Sequence, residues 1–217
     1  MRIGVFDSGI GGEAVAASLA VSIPDAIITT VNDKEHLPYG SRDQQDIIRL
    51  TDSALQPLLG KQDIIVIACN SATAAAIEWL RATYSDQLFI GLEPMVKPAA
   101  EQSRSGIVAV CATPATLSSH RYTALKKEYL GDTLCLEPNC QSWASMVENS
   151  TIDHSIIKIQ INDIIQNGAD VIVLACTHYH WIRTLIEEIA DGRALVIDPS
   201  DAIASRILSL MESQKQL

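Results

Sequence analysis

The stretches Ile64-Ile65-Val66-Ile67-Ala68-Cys69-Asn70-Ser71 and Val171-Ile172-Val173-Leu174-Ala175-Cys176-Thr177-His178 are near copies of one another, set about half the chain apart. Each is a short apolar, β-branched run of the kind that forms a strand buried on both faces. Each also delivers one cysteine at its C-terminal end, followed by polar hydrogen-bonding side chains. Such a repeat predicts two similar halves. Elsewhere β-branched runs alternate with helical patterns, as in an α/β protein with largely parallel sheets. Strands are expected near 3–7, 27–32, 63–69, 89–92, 106–111, 133–137, 171–176 and 194–198. Helices are expected over 11–22, 43–59, 73–84, 114–129, 153–166, 179–190 and 201–213, with Pro57 interrupting the second near its end. The expected fold is therefore α/β, with two similar lobes of mainly parallel sheet flanked by helices. The first lobe spans 1–94, with 199–217 returning to it, and the second spans 95–198. Open α/β sheets bind ligands outside the carboxyl ends of their strands, where both cysteines lie, so the active site is expected in the cleft between the lobes.

The chain of 217 residues is 47% hydrophobic, enough for one large core or two small ones, and its formal charge is −10. That balance argues against a nucleic-acid partner, because binding a phosphate backbone rests on Lys and Arg. No apolar run approaches the roughly 20 residues that span a bilayer, so no membrane partner is expected. Met1 to Asp7 turns acidic too soon for a signal peptide, and the expected location is cytoplasmic. Five cysteines in such a chain do not make a disulfide framework, which leaves free thiols for packing or chemistry.

A lone cysteine after an apolar strand is usually a small buried side chain. Two in matching contexts point instead to a pair of thiols flanking one substrate carbon, one removing a proton and the other returning a proton on the opposite face. Cys111, in the run from Ile107, reads as core, as does Cys135, and Cys140 sits in a loop with no reading of its own. His178 leaves the same strand as Cys176, where an imidazole can lower a thiol pKa or carry a proton itself. Cys176 and His178 also suit zinc, but no second closely spaced ligand pair accompanies Cys69, so no metal is expected.

The first strand runs into Asp7-Ser8-Gly9-Ile10-Gly11-Gly12. Gly9 to Ala14 fits the G-x-G-x-x-A dinucleotide fingerprint and Asp33 follows about 20 residues on, which makes a nicotinamide-dependent oxidoreductase one alternative. Asp7 at the mouth of that turn repels a pyrophosphate, however, and a dinucleotide site gives two thiols no role. The same turn suits an amino acid, with Asp7 facing an α-ammonium or assisting proton transfer, and Ser8 and helix N-terminal amides holding a carboxylate. The plainer reading is that Asp7 and Ser8 cap the helix. Pro38-Tyr39-Gly40 marks a second tight loop at the same sheet end, either a carboxylate site or simply a turn.

Four blocks together, Val5 to Gly12, Leu37 to Ser41, Ala68 to Ala72 and Ala175 to Tyr179, resemble the motifs of glutamate racemase in order and spacing, over about residues 1–205. Ala112 to Thr116 and Met146-Val147-Glu148 match more weakly. The resemblance implies cofactor-independent interconversion of L- and D-glutamate, feeding peptidoglycan. It makes Cys69 and Cys176 the acid/base thiols, with Asp7 and His178 as their auxiliary groups and Glu148 assisting near His178. Ser8, Pro38, Tyr39, Gly40, Asn70, Ser71, Thr113, Thr116 and Thr177 would line the substrate together with Asp7 and His178. Ser71 stands where threonine is usual and keeps the hydroxyl; His180 stands where proline is common. Glutamate is the expected small-molecule partner and a homodimer the candidate assembly. Aspartate as substrate, and a non-catalytic protein that binds acidic amino acids, are further alternatives.

Overall fold

A computed structural model of the protein describes residues 1–214, the side chains of 200, 201 and 211–214 excepted. The first sheet takes β1 (Arg2–Asp7), β2 (Ile27–Asn32), β3 (Ile64–Ile67) and β4 (Leu88–Gly91), joined through α1 (Gly11–Ser22), α2 (Gln44–Leu55) and α3 (Asn70–Thr83). After α4 (Val96–Gln102), a second sheet takes β5 (Ile107–Ala112), β6 (Leu134–Leu136), β7 (Val171–Ala175) and β8 (Leu195–Ile197). Between its strands lie α5 (Pro114–Leu117), α6 (His120–Tyr129), α7 (Gln141–Glu148), α8 (His154–Gln166) and α9 (Arg183–Ala190), and α10 (Ser200–Gln214) ends the described chain.

The strand orders are β2-β1-β3-β4 and β6-β5-β7-β8, every neighbour parallel. The two sheets are thus wound identically, and in each the third strand in sequence, the one that leads to a cysteine, lies inside the sheet. Burial on both faces explains its unbroken Ile/Val/Leu run. Phe6, Ile65 and Ile67 face one apolar cluster with α2 and α3, while Ile3, Val5, Ile64 and Val66 face another with α1. Ile203, Ala204 and Ile207 of α10 complete the latter cluster. In the second sheet Ile172 and Leu174 pack under α7, α8 and α9, and Val171 and Val173 pack under α4 and α6.

All eight expected strands are present, and the helices differ in instructive ways. The helix expected over 43–59 ends at Leu55: Gln56 keeps α-region angles, but Pro57 has no amide to donate back to the Ser53 carbonyl, which the Gln56 amide takes instead. The single helix expected over 114–129 is two, since the Ser118 and Ser119 hydroxyls donate back to the carbonyls of Pro114 and Thr116 and Ser119 caps a fresh start. The helix expected from 179 begins at Arg183, after a 3-10 segment over Thr177–Ile182. Neither α4 nor α7 was expected. Pro98 in α4 occupies the first turn, where no amide bond is lost, and α7 has only Trp143 and Val147 buried, too little for a visible period. Cys135, expected in the core, is half-buried on β6, and all five cysteines are free thiols.

Candidate active site

The third strand of each sheet stops short of its cysteine, leaving the thiol at the carboxyl edge. Cys69 is the N-cap of α3, and its sulfur accepts the Ala72 amide at 3.5 Å. Cys176 instead precedes a 3-10 turn and makes no side-chain cap. Both open on one cavity of about 750 Å³. Of the residues the sequence singled out, Ser8, Pro38, Tyr39, Gly40, Asn70, Ser71, Thr113, Glu148, Thr177 and His178 also line it. Two do not. Asp7 is fully buried beneath the floor, and Thr116 stands behind Thr113, 3.1 Å away through the hydroxyls.

The two thiols have different company. Cys69 Sγ lies 3.3 Å from Ser8 Oγ, and Cys176 Sγ lies 3.9 Å from His178 Nδ1. The other nitrogen of that imidazole is 2.6 Å from Glu148 Oε2, so Glu148, on α7, orients His178. Burial, with the charge of Asp7 adding to it, pushes the Cys69 thiol up to about 11, tempered by Ser8 and by the amides at the start of α3. Burial pushes Cys176 higher still. Backbone amides stabilise both thiolates, but the Ser8 hydroxyl adds to them at Cys69 alone, while the charge of Cys69 opposes ionisation of Cys176.

Asp7 does not face the cavity as an open carboxylate. Its oxygens accept the Gly9 amide and the Thr177 hydroxyl, each at 2.8 Å, so it ties the first strand to the turn that follows Cys176. Burial raises its pKa, and His178 and these donors pull the other way. Ser71 and Thr113 form a second tie between the halves, 2.9 Å apart through their hydroxyls. Tyr39 lines the cavity with its ring, and its hydroxyl donates to Asp33 Oδ2 at 2.7 Å.

These contacts also explain the glycine turn. A Cβ on Gly9 would come within 2.8 Å of both Glu148 Oε2 and His178 Nε2, and one on Gly11 within 2.5 Å of Thr177 Cβ. The space that a dinucleotide fingerprint opens for a pyrophosphate is here filled by the second half of the molecule, and Asp33 is engaged by Tyr39 and His36. The glycines serve close packing between halves.

Sequence reasoning missed one wall of the cavity altogether. Asn139, Gln141, Ser142, Ser145 and Asn149, on and around α7, and Gln160 of α8 contribute neutral amides and hydroxyls. Among the described residues no lysine or arginine lines the cavity. Asn70 is 3% exposed, and among the described residues neither its carboxamide nitrogen nor its oxygen has a hydrogen-bond partner. Among the described residues no three His, Cys, Asp or Glu side chains group to hold a metal ion, and no helix is long and apolar enough to cross a membrane.

Residues 12–207 match the family model for Asp/Glu/Hydantoin racemase. The chain belongs to this family. It is 37% identical to the glutamate racemase of Sulfurovum sp. (strain NBC37-1), over 99% of this chain and 84% of that one. Among solved structures, glutamate racemase from Bacillus anthracis shares the fold, with a TM-score of 0.87 at 24% identity over 98% of this chain and 82% of that one. Glutamate racemase from Francisella tularensis in complex with D-glutamate gives 0.81 at 27% identity, covering 100% of this chain and 82% of that one. In this member of the family, then, the carboxyl edges of two like sheets face one cavity.

Proposed function

We propose that this protein is a glutamate racemase, an isomerase that interconverts L- and D-glutamate with two thiols and no cofactor. One observation carries the reading: two buried thiols, from equivalent ends of two identically ordered sheets, open on one cavity beside the buried, unpartnered carboxamide of Asn70. A buried amide left without partners marks a place for a polar ligand. Its N–H and carbonyl suit the carboxylate and ammonium of an amino acid. Among the described residues no lysine or arginine lies in the wall, so the carboxylates are held by neutral donors: Asn70, Ser8, Ser71, Thr113 and the amides at the start of α3, the Thr177 hydroxyl being given to Asp7. The ring of Tyr39, with Pro38 and Gly40, closes the side of the cavity formed by the 3-10 turn Tyr39–Ser41, and Thr116 braces Thr113.

Each turnover needs one thiolate and one thiol. With burial and Asp7 holding both sulfurs protonated at neutral pH, it is the substrate ammonium that offsets the negative charge and lets a thiolate form. Cys69 takes the α-proton of D-glutamate and Cys176 that of L-glutamate, each opposite cysteine supplying the proton on the other face. Asp7 tunes the Cys69 side, while His178, oriented by Glu148, serves Cys176. Charge developing on the carboxylate as the α-carbon is deprotonated meets donors fixed in a water-poor site. We assign residues 1–94 with α10 to one closing unit and 95–198 to the other; 215–217 lie outside the described residues. The D-glutamate would feed peptidoglycan synthesis in the cytoplasm, with a homodimer as the assembly to test.

Chiral chromatography of L-glutamate and L-aspartate, each incubated with pure protein and no added cofactor, tests the activity. The expected result is D-glutamate rising toward an equal mixture; no turnover of either would overturn the reading. The thiol roles are tested separately in deuterated water. Cys176→Ala should retain at most slow α-hydrogen exchange of D-glutamate and Cys69→Ala only of L-glutamate, whereas racemisation by either single variant would exclude the two-thiol scheme.

A further inference from the structure

Tyr179 follows Cys176 by three residues and is fully buried. Its hydroxyl donates to the carbonyl of Cys140 at 2.9 Å, and Cys140 is the N-cap of α7. The ring stands edge-on to Trp143, with centroids 5.2 Å apart, and the Trp143 indole donates to Gln160, which lines the cavity. At the other end of α7, its last residue Glu148 holds His178 at 2.6 Å. Consecutive residues of the turn after Cys176 are therefore pinned to opposite ends of one helix, about 12 Å long at 1.5 Å per residue. A turn fixed at one point can swing. Fixed at both, it holds the imidazole and the thiol in one relation.

The first sheet has no counterpart. The residue three after Cys69 is Ala72, which carries no hydroxyl, and Cys69 is oriented by Ser8 and by the helix that begins beside it. From this difference between otherwise repeated halves we infer that Tyr179 is a positioning residue specific to the Cys176 side of the reaction, acting through α7 to fix the turn carrying His178. The inference rests on the racemase reading. Tyr179 is no proton donor to substrate: it does not line the cavity. Burial, and then the thiols of Cys176, Cys140 and Cys111, keep its phenol un-ionised, so it remains a hydrogen-bond donor throughout the working range.

Tyr179→Phe removes one oxygen and leaves the ring in its packing. The expected effect is a fall of about tenfold in kcat with little change in KM, less than the ~10²–10⁴-fold that a directly acting acid or base contributes. The diagnostic reading is the isotope effect on kcat/KM with α-deuterated substrate. If the Cys176 step alone is slowed, the effect rises for L-glutamate, whose α-deuterium Cys176 removes, and falls toward unity for D-glutamate. Tyr122→Phe is the control, a buried phenol on the opposite face of the same sheet, bonded to Glu137 at 3.0 Å, and should leave both isotope effects unchanged. Equal changes for the two enantiomers in Tyr179→Phe, or the same pattern in Tyr122→Phe, would reduce Tyr179 to general packing and overturn the inference while leaving the racemase reading intact. Absence of racemisation by the unaltered protein would remove both.

Discussion

Gly11 shows how much of the site depends on single atoms. It begins α1, where an alanine ordinarily stabilises a helix by roughly 0.5–1 kcal/mol over glycine. Here the added methyl would stand 2.5 Å from Thr177 Cβ and 2.8 Å from the Thr177 carbonyl carbon, and a backbone atom cannot rotate away. Relief requires the two halves to part at the place where Asp7 accepts the Thr177 hydroxyl. Gly11→Ala is therefore expected to reverse the helix-propensity sign, lowering stability by about 1–3 kcal/mol through overpacking and raising KM. Thermal unfolding with steady-state kinetics checks this, and a variant more stable than the parent with unchanged KM would refute the close-packing account. From sequence the same glycine fits a phosphate-binding turn equally well, because a fingerprint records that a side chain is forbidden and not what forbids it.

At the scale of elements the repeat reaches further than the cysteines. Asp63 precedes β3 and Asp170 precedes β7, and near the start of the neighbouring strand the first carboxylate accepts one backbone amide, that of Arg2, and the second accepts two. Asp170 accepts the amides of Arg104 and Ser105 at 2.7 and 2.8 Å and the Ser103 hydroxyl at 2.6 Å. Burial pushes its pKa up, but these donors outweigh it and hold it at about 2. A carboxyl depressed below its unfolded value adds stability that is present above about pH 4 and disappears as pH falls toward 2. Asp170→Asn should thus cost about 1 kcal/mol at pH 7, the value of a charged hydrogen-bond set discounted for its partial exposure, and less at pH 3. Denaturant melts at the two pH values decide it, an equal deficit at both contradicting the carboxylate's role. The inner strands β1, β3, β5 and β7 were legible because apolar runs buried on both faces announce themselves without context, and the more exposed β2 by its β-branched residues. By contrast, α7 was not, since its eight residues bury only Trp143 and Val147, and its polar face is turned to the cavity. The same polarity hid Asn139 to Asn149 as a wall of the site: amides and serines read as loop until the fold sets them opposite the thiols.

For the molecule as a whole, placing so many acidic protons indoors has a consequence at high pH. Burial raises the thiols of Cys69, Cys135 and Cys176 and the phenols of Tyr39, Tyr122 and Tyr179, and a hydrogen bond with Cys111, then burial, raises the thiol of Cys140 in the same direction. A group whose folded pKa lies above its unfolded one contributes stability that is complete below the unfolded value and is lost as pH climbs through the folded one. For Cys69 that window runs from the ordinary 9.0 to about 11. Two pKa units correspond to about 2–3 kcal/mol, comparable to a large fraction of the net stability of a small domain. The protein is therefore expected to lose stability steeply between pH 9 and 11. General charge repulsion on a chain of net charge −10 would also destabilise it there, so a comparison is needed that holds repulsion constant. Cys69→Ser supplies one: the side chain keeps its size and its place at the start of α3 but has no proton to lose in this range. Unfolding free energies of the two proteins, measured from pH 8 to 11, should converge by about 2–3 kcal/mol as the parent loses the contribution of its buried thiol. Parallel curves would mean that Cys69 is ionised as readily in the folded protein as in the unfolded chain, and that burial does not hold its thiol protonated.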